Sequence, residues 1–117
     1  MVRTHKDLDV YKLSLQMVGL LYQLTAAFPE EEKYGLISQI RRAAVSVPAN
    51  IAEGSARNTS KQFLYFINIA IGSTAEVETL LEISKLLGFT TDISQYTYDL
   101  MRIKRMLISL ASKLTDN

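Results

Sequence analysis

Cysteine is absent from the 117-residue sequence, which excludes disulfides, thiolate zinc sites and cysteine nucleophiles. Histidine is nearly absent too, His5 being the single one. The di-iron sites common in helical bundles need histidines three residues after inward glutamates, and no Glu-x-x-His occurs. A serine triad lacks its imidazole, because His5 falls in a polar leading segment. Gly35, Gly54, Gly72 and Gly88 stand isolated, so there is no glycine-rich phosphate loop. Glu76 and Glu78 lie two apart on a helical pattern and point in different directions, which argues against a paired-carboxylate site. Neither metal nor cofactor is expected, and the chain reads as a non-enzyme. No apolar run approaches the roughly 20 residues that span a bilayer. The opening MVRTHKDLDVYK is polar where a secretory signal would have an apolar core, so the expected compartment is the cytoplasm. A net charge of +1 and a pI near 7.9 fall short of the pI above about 9 typical of a dedicated nucleic-acid binder.

What is present is apolar periodicity. An apolar content of 48% suffices for one folded domain over residues 1–117. Residues 1–6 read as a flexible lead, and Asp7 or Asp9 can cap a first helix over about 8–27. That helix carries two apolar stripes, one with Tyr11, Leu15, Val18 and Tyr22, the other with Leu13, Met17, Leu20, Leu21 and Leu24. So much apolar surface implies burial on several sides, which oligomerisation would supply. Gly19 lies on the remaining polar strip, where another backbone can approach closely. Glu30, Glu31 and Glu32 sit where carboxylates favour a helix start, and a second helix is expected over 31–56 with Leu36, Ile37, Ile40, Ala43, Ala44 and Val47 inside. Ser60 is a candidate N-cap for a third helix over 61–87, whose stripe includes Phe63, Ala70, Val77, Leu80, Leu81 and Leu87. Ala70, Gly72, Ser73 and Ala75 make its middle narrow, which suggests close helix packing. Gly88 supplies a left-handed cap. A fourth helix over 93–114 keeps four- and three-residue spacing through Tyr96, Leu100, Ile103, Leu107, Leu110 and Leu114. Four long helices with short loops predict an all-α, antiparallel, up-down-up-down four-helix bundle.

The block QIRRAAVSVPANIAEG, Gln39 to Gly54, stands apart. It sets Arg41 and Arg42 on an alanine-rich helix and places Pro48 inside it, where proline removes a hydrogen bond at a cost of about 3 kcal/mol. A bend is expected there, with Asn50 satisfying the carbonyl that the proline frees. Arg41, Arg42, Asn50, Glu53, Arg57, Glu76 and Glu78 form a candidate structural polar network. Glu53 and Arg57 have the favourable acid-first i,i+4 order. Glu76 and Glu78 are the natural carboxylates for Arg41 or Arg42, across a helix or a subunit boundary. The competing functional reading makes Arg41, Arg42, Arg57, Lys61, Arg102 and Arg105 a phosphate-binding set. On the fourth helix Arg102, Lys104, Arg105 and Lys113 occur with no acid between them, and Arg102 and Arg105 share a face. Tyr65 and Tyr98 are aromatics that could stack on bases.

Together with Phe28 and Pro29, Tyr34 to Leu36, Arg57, IAIGSTAEVET (Ile69 to Thr79) and LLGF (Leu86 to Phe89), the same block resembles the four helix bundle proteins known as 23S rRNA intervening sequence proteins. The resemblance covers nearly the whole chain. It implies an antiparallel four-helix bundle assembling as a homopentamer. It also implies kinship with the accessory variability determinant of diversity-generating retroelements, thought to bind nucleic acid and a reverse transcriptase. The family name refers to genes lying inside intervening sequences of ribosomal RNA genes, a statement of location rather than of activity. The expected function is a non-enzymatic homo-oligomeric binding or scaffold module with RNA or DNA as ligand. The alternative is a protein–protein adaptor. A basic patch repeated by fivefold symmetry becomes a ring, whatever the net charge of one subunit.

Overall fold

The computed structural model describes residues 4–116. Four helices account for most of them: α1 (Asp9–Ala26), α2 (Leu36–Ser55), α3 (Ser60–Leu86) and α4 (Ser94–Thr115). Short 3-10 turns form at His5–Asp7 and Glu30–Glu32, and the described residues contain no strand. Each helix packs against its neighbours in sequence, and α4 closes against α1. The diagonal pairs, α1 with α3 and α2 with α4, stay more than 8 Å apart between Cα atoms. This is an antiparallel up-down-up-down bundle measuring 45 × 22 × 21 Å.

Local chemistry explains where the helices begin and end. Thr59, not Ser60, is the N-cap of α3, its Oγ1 accepting the Gln62 backbone N–H at 3.1 Å. The helix ends in a Schellman arrangement, with Gly88 at φ 80, its N–H bonded to the Lys85 carbonyl and the Phe89 N–H bonded to that of Ser84. At the start of α4, Asp92 Oδ1 accepts the Ser94 N–H at 2.9 Å. That bond, helped by the Ser94 side chain, holds the Asp92 carboxyl below its ordinary pKa. The second helix starts at Leu36 rather than 31, because the acidic run winds into a 3-10 turn and Gly35 adopts non-helical angles. Glu32 still serves that start, its Oε1 accepting the Leu36 N–H at 3.1 Å. Of the lead expected over residues 1–6, residues 1–3 lie outside the described part. The rest is a turn closed by a Thr4–Asp7 capping box, with the His5 ring edge-on to Tyr11 at 4.8 Å.

All four helices contribute to one core, in which Leu21, Ile40, Ile51, Ile67, Leu81, Ile103 and Leu107 are almost fully buried. Apart from Asp99, its polar members are serines and threonines that bond back to their own helix. Thr25 donates to the Leu21 carbonyl, Thr74 to Ile71 and Ser84 to Leu80. No buried side-chain polar atom is left without a partner among the described residues. Phe28 and Phe89, with ring centres 5.7 Å apart, join the end of α1 to the α3–α4 loop. Leu87, expected in the stripe of the third helix, is instead 55% exposed, because it sits at the C-cap where the backbone turns away from the core.

α2 runs unbroken through Pro48, which is buried. Ser46 and Ser73 hydroxyls meet at 2.8 Å between α2 and α3. Near the far end of the same pairing, a Cβ built on Gly54 would lie 2.8 Å from Phe63 Cδ1, 2.9 Å from Phe66 Cβ and 3.1 Å from the Phe63 carbonyl. Two of those atoms belong to, or sit next to, backbone that cannot yield cheaply. Gly54→Ala is therefore expected to destabilise the fold by about 1–3 kcal/mol, despite alanine's better helix propensity. A urea midpoint equal to or above that of the parent chain would contradict this close approach.

Candidate nucleic-acid interface

Arg41 projects from α2 across to α1. Its Nε donates to Thr25 Oγ1 at 2.9 Å, Nη2 donates to the Tyr22 carbonyl at 3.2 Å, and the guanidinium lies 4.4 Å from the centre of the Tyr22 ring. The contacts are made possible by Thr25, whose own proton goes to the Leu21 carbonyl, leaving a lone pair for Arg41. Arg41 thus bridges α1 and α2 without a carboxylate. Beside it runs an open groove of about 590 Å³ whose walls include Tyr22, Lys33, Tyr34, Arg42 and Val45.

The expected pairing of Arg41 or Arg42 with Glu76 or Glu78 does not form within one chain, where the ion pair among the described residues is Arg57 with Glu53. The reason is placement. Arg41 is directed to the α1 side, whereas Arg42 and Glu76 flank a small cavity on the α3 side without touching. Glu78, two residues on, is turned to another face and half-buried. Asn50 also differs from expectation. Its amide donates to the Ser46 carbonyl at 2.8 Å and to Ser46 Oγ at 2.9 Å, because a helical side chain reaches back about one turn. Ala44, four before Pro48, carries the freed carbonyl and lies beyond that reach.

The six candidate phosphate-binding cations are spread over the molecule and make no single patch. Arg41 and Arg42 are in the upper half of α2, while Arg57 follows its lower end, paired with Glu53 and stacked 4.8 Å from the Phe66 ring centre. Lys61 is exposed in the first turn of α3. Arg102 and Arg105 are exposed on α4. Tyr98, Arg102, Arg105 and Lys113 are all exposed and, at spacings of four, three and eight, share one side of the helix. The Arg102 guanidinium lies 6.0 Å from the Tyr98 ring centre. The stripe is ~22 Å long at 1.5 Å per residue. No acid occurs from Leu100 to Thr115, and Asp99 is buried, accepting from Gln95 Nε2. Tyr65, the other stacking candidate, is 63% exposed but packs edge-on against Phe66.

No group of His, Cys, Asp or Glu among the described residues could hold a metal ion, and none of their helices is long and apolar enough to cross a membrane. Residues 6–109 match the family model described as 23S rRNA-intervening sequence protein. The chain belongs to this family. A crystal structure of a protein of unknown function from the S23 ribosomal protein family of Bacteroides thetaiotaomicron shares the fold, with a TM-score of 0.78 at 25% sequence identity, covering 87% of this chain and 97% of that one. No curated protein matches. Membership in the family therefore fixes the architecture, and the descriptions of both matches name no enzymatic activity.

The two arginine arrangements predict different costs of removal. Arg41→Ala strips two hydrogen bonds and an aromatic contact from the α1–α2 seam, and should lower unfolding free energy by about 1–2 kcal/mol. Arg57→Ala removes a pair whose side chains are 42% and 55% exposed, so a change within about 0.5 kcal/mol is expected. Equal losses in urea titration would refute the distinction.

Proposed function

We propose that the chain is a non-enzymatic, self-associating four-helix module that binds RNA or DNA along α4. The carrying observation is the exposed Tyr98, Arg102, Arg105 and Lys113 stripe, whose cations form no ion pair among the described residues, with Asp9 of α1 as the one carboxylate lining the same pocket as Arg105 and Lys113. Cations that pair with no protein acid are free to neutralise phosphates and release condensed counterions, the main source of nucleic-acid affinity. Tyr98 adds a stacking face at one end, and an arginine beside an aromatic ring is a common partner for a splayed base. Arg41 and Arg57 are less suited, since their guanidinium groups are already engaged. A net charge of +1 per subunit does not oppose the reading, because the fivefold assembly implied by the family resemblance repeats the stripe around one axis and sums its field.

The other reading is a protein–protein adaptor, favoured by Met101 and Ile108, which are 39% and 50% exposed beside the same stripe. Fluorescence anisotropy with a labelled single-stranded RNA separates the two. Wild type should lose about tenfold or more in affinity between 50 and 200 mM salt, and the R102E/R105E double variant should flatten the log–log salt slope by about 1–2. Absence of salt-sensitive binding at low ionic strength would sink the nucleic-acid reading. A stoichiometric protein that stays bound after nuclease treatment would establish the adaptor in its place.

A further inference from the structure

The basic stripe of α4 borders a cleft that phosphate binding alone does not use. Between the start of α1 and the last turns of α4 lies an open pocket of about 390 Å³, within the size range of small-ligand sites. Its floor is apolar. Leu8, Met106 and Leu110 are half-buried and pack on the core, and Val10 is buried. Arg105, Ser109 and Lys113, at spacings of four, form the α4 wall, and Asp9 stands on the α1 side. The four wall residues are exposed.

Asp9 is the member that the bundle itself explains least. It is the first residue of α1, whose N-cap is Leu8 and has no side-chain cap bond. A carboxylate there is favoured by the helix dipole, which accounts for an acid at that end of the helix. It does not account for an acid that shares a pocket with Arg105 and Lys113 and forms an ion pair with neither. Held apart across an apolar floor, the carboxylate and the two cations keep their acceptors and donors for a group placed between them.

That set discriminates among ligand chemistries. A bare phosphate would meet the Asp9 carboxylate as a like charge, and an aliphatic chain would cover the same carboxylate with apolar atoms. A nucleobase suits every wall. Its flat face stacks on the apolar floor, its ring edge offers donors to the carboxylate, and its phosphates reach out to the cations. Guanine fits best among the bases. Its N1–H and N2–H2 are adjacent donors, which one carboxylate accepts as a pair, whereas the Watson–Crick edges of adenine, cytosine and uracil each carry a single donor group. The guanine O6 and N7, on the next edge round, are acceptors for the Arg105 fork.

We infer that the pocket between Asp9 and Arg105 reads one unpaired guanine in a single strand laid along α4, with Asp9 accepting from N1–H and N2–H2 while Arg102 and Lys113 hold flanking phosphates. This deepens the reading above and rests on it: the stripe supplies affinity and the pocket supplies a choice of base. A guanine in a duplex has the same edge occupied by cytosine, so the pocket also selects single strands over double ones.

The test uses the full chain and short labelled oligouridines carrying one central guanine, inosine, adenine or cytosine. Anisotropy should show the guanine strand bound about fivefold or more tighter than the adenine or cytosine strand, the effect of one good bidentate base contact. Inosine, which lacks the N2 amino group, should fall between. Asp9→Asn then separates base reading from charge. An Asp9 that merely repels phosphate predicts that its neutralisation strengthens binding to every strand alike. The pocket predicts opposite signs, with affinity falling for the guanine strand while the adenine strand holds or rises. Asp9 is exposed, so the variant leaves the core intact. Ser109→Phe, which fills the pocket without touching a charge, should abolish the preference as well. Equal binding of all the strands, a preference for another base, or a guanine advantage that survives Asp9→Asn would overturn the pocket and leave the α4 reading standing. Absence of salt-sensitive binding by any strand would overturn both.

Discussion

The register between α2 and α3 is the constraint on which the rest of the molecule depends. It is set by small groups rather than by large ones. Ser46 and Ser73 are close enough to share a hydrogen bond, and Gly54 admits Phe63 and Phe66 at distances that no Cβ would allow. A slide of one residue along this seam would break the serine contact and drive the phenylalanines into backbone. With the seam fixed, the position of every other feature follows. Arg41 is held level with Tyr22 and Thr25, Glu76 comes level with Arg42, and α4 closes the square through Leu100, Ile103 and Leu107. Pro48 belongs to the same economy of space. It is buried within a continuous helix, so the loss of its N–H is borne by packing on all sides rather than by a break in the chain.

Charge is handled in a way that the net value conceals. The sum is +1, yet the middle of α3 is acidic, α4 is basic, and the described residues form one ion pair. Inside the bundle most polar groups are serines and threonines bonded to their own helix, and the one buried acid among the described residues, Asp99, takes its bond from Gln95 on the same helix. The charged groups are thus left on the surface in segregated bands. Segregated bands are poor for stabilising one chain, since exposed pairs contribute little and here hardly form. They are well suited to selecting what approaches each face.

Much of this architecture was legible in the sequence. Three of the four helices begin and end within one residue of where periodicity and cap residues put them, since apolar spacing, Gly88 and the polar residues before the third helix are strong local signals. The second helix begins late because an acidic run can cap a helix from a 3-10 turn as readily as from the helix itself, and composition does not distinguish the two. Buried Ser14, Thr25, Thr74 and Ser84 were hidden, as a hydroxyl bonded to a carbonyl one turn back behaves as a small apolar group. The candidate site was less legible still. Residue type marked Arg41, Arg42, Glu76 and Asn50, but helix rotation assigned Arg41 to Thr25, Asn50 to Ser46, and kept Arg42 and Glu76 apart. Tyr98, Arg102, Arg105 and Lys113 were marked by residue type, and their common side of α4 follows from their spacing.

What the sequence signalled without explaining was excess. The first helix holds more apolar surface than one bundle covers, and Leu15, Leu20 and Tyr22 are indeed left out of the core. Two helices carry interior glycines that touch nothing, and paired arginines and glutamates occur that do not pair. Each is a defect in an isolated chain, and apolar side chains are left exposed on α2 and α4 as well, at Val45, Met101 and Ile108. A bundle made only to be stable would replace those glycines with alanine and the exposed leucines with polar residues, at no cost to its core. The fold of one chain therefore accounts for the buried residues, and the design of the outer faces belongs to the assembly proposed above.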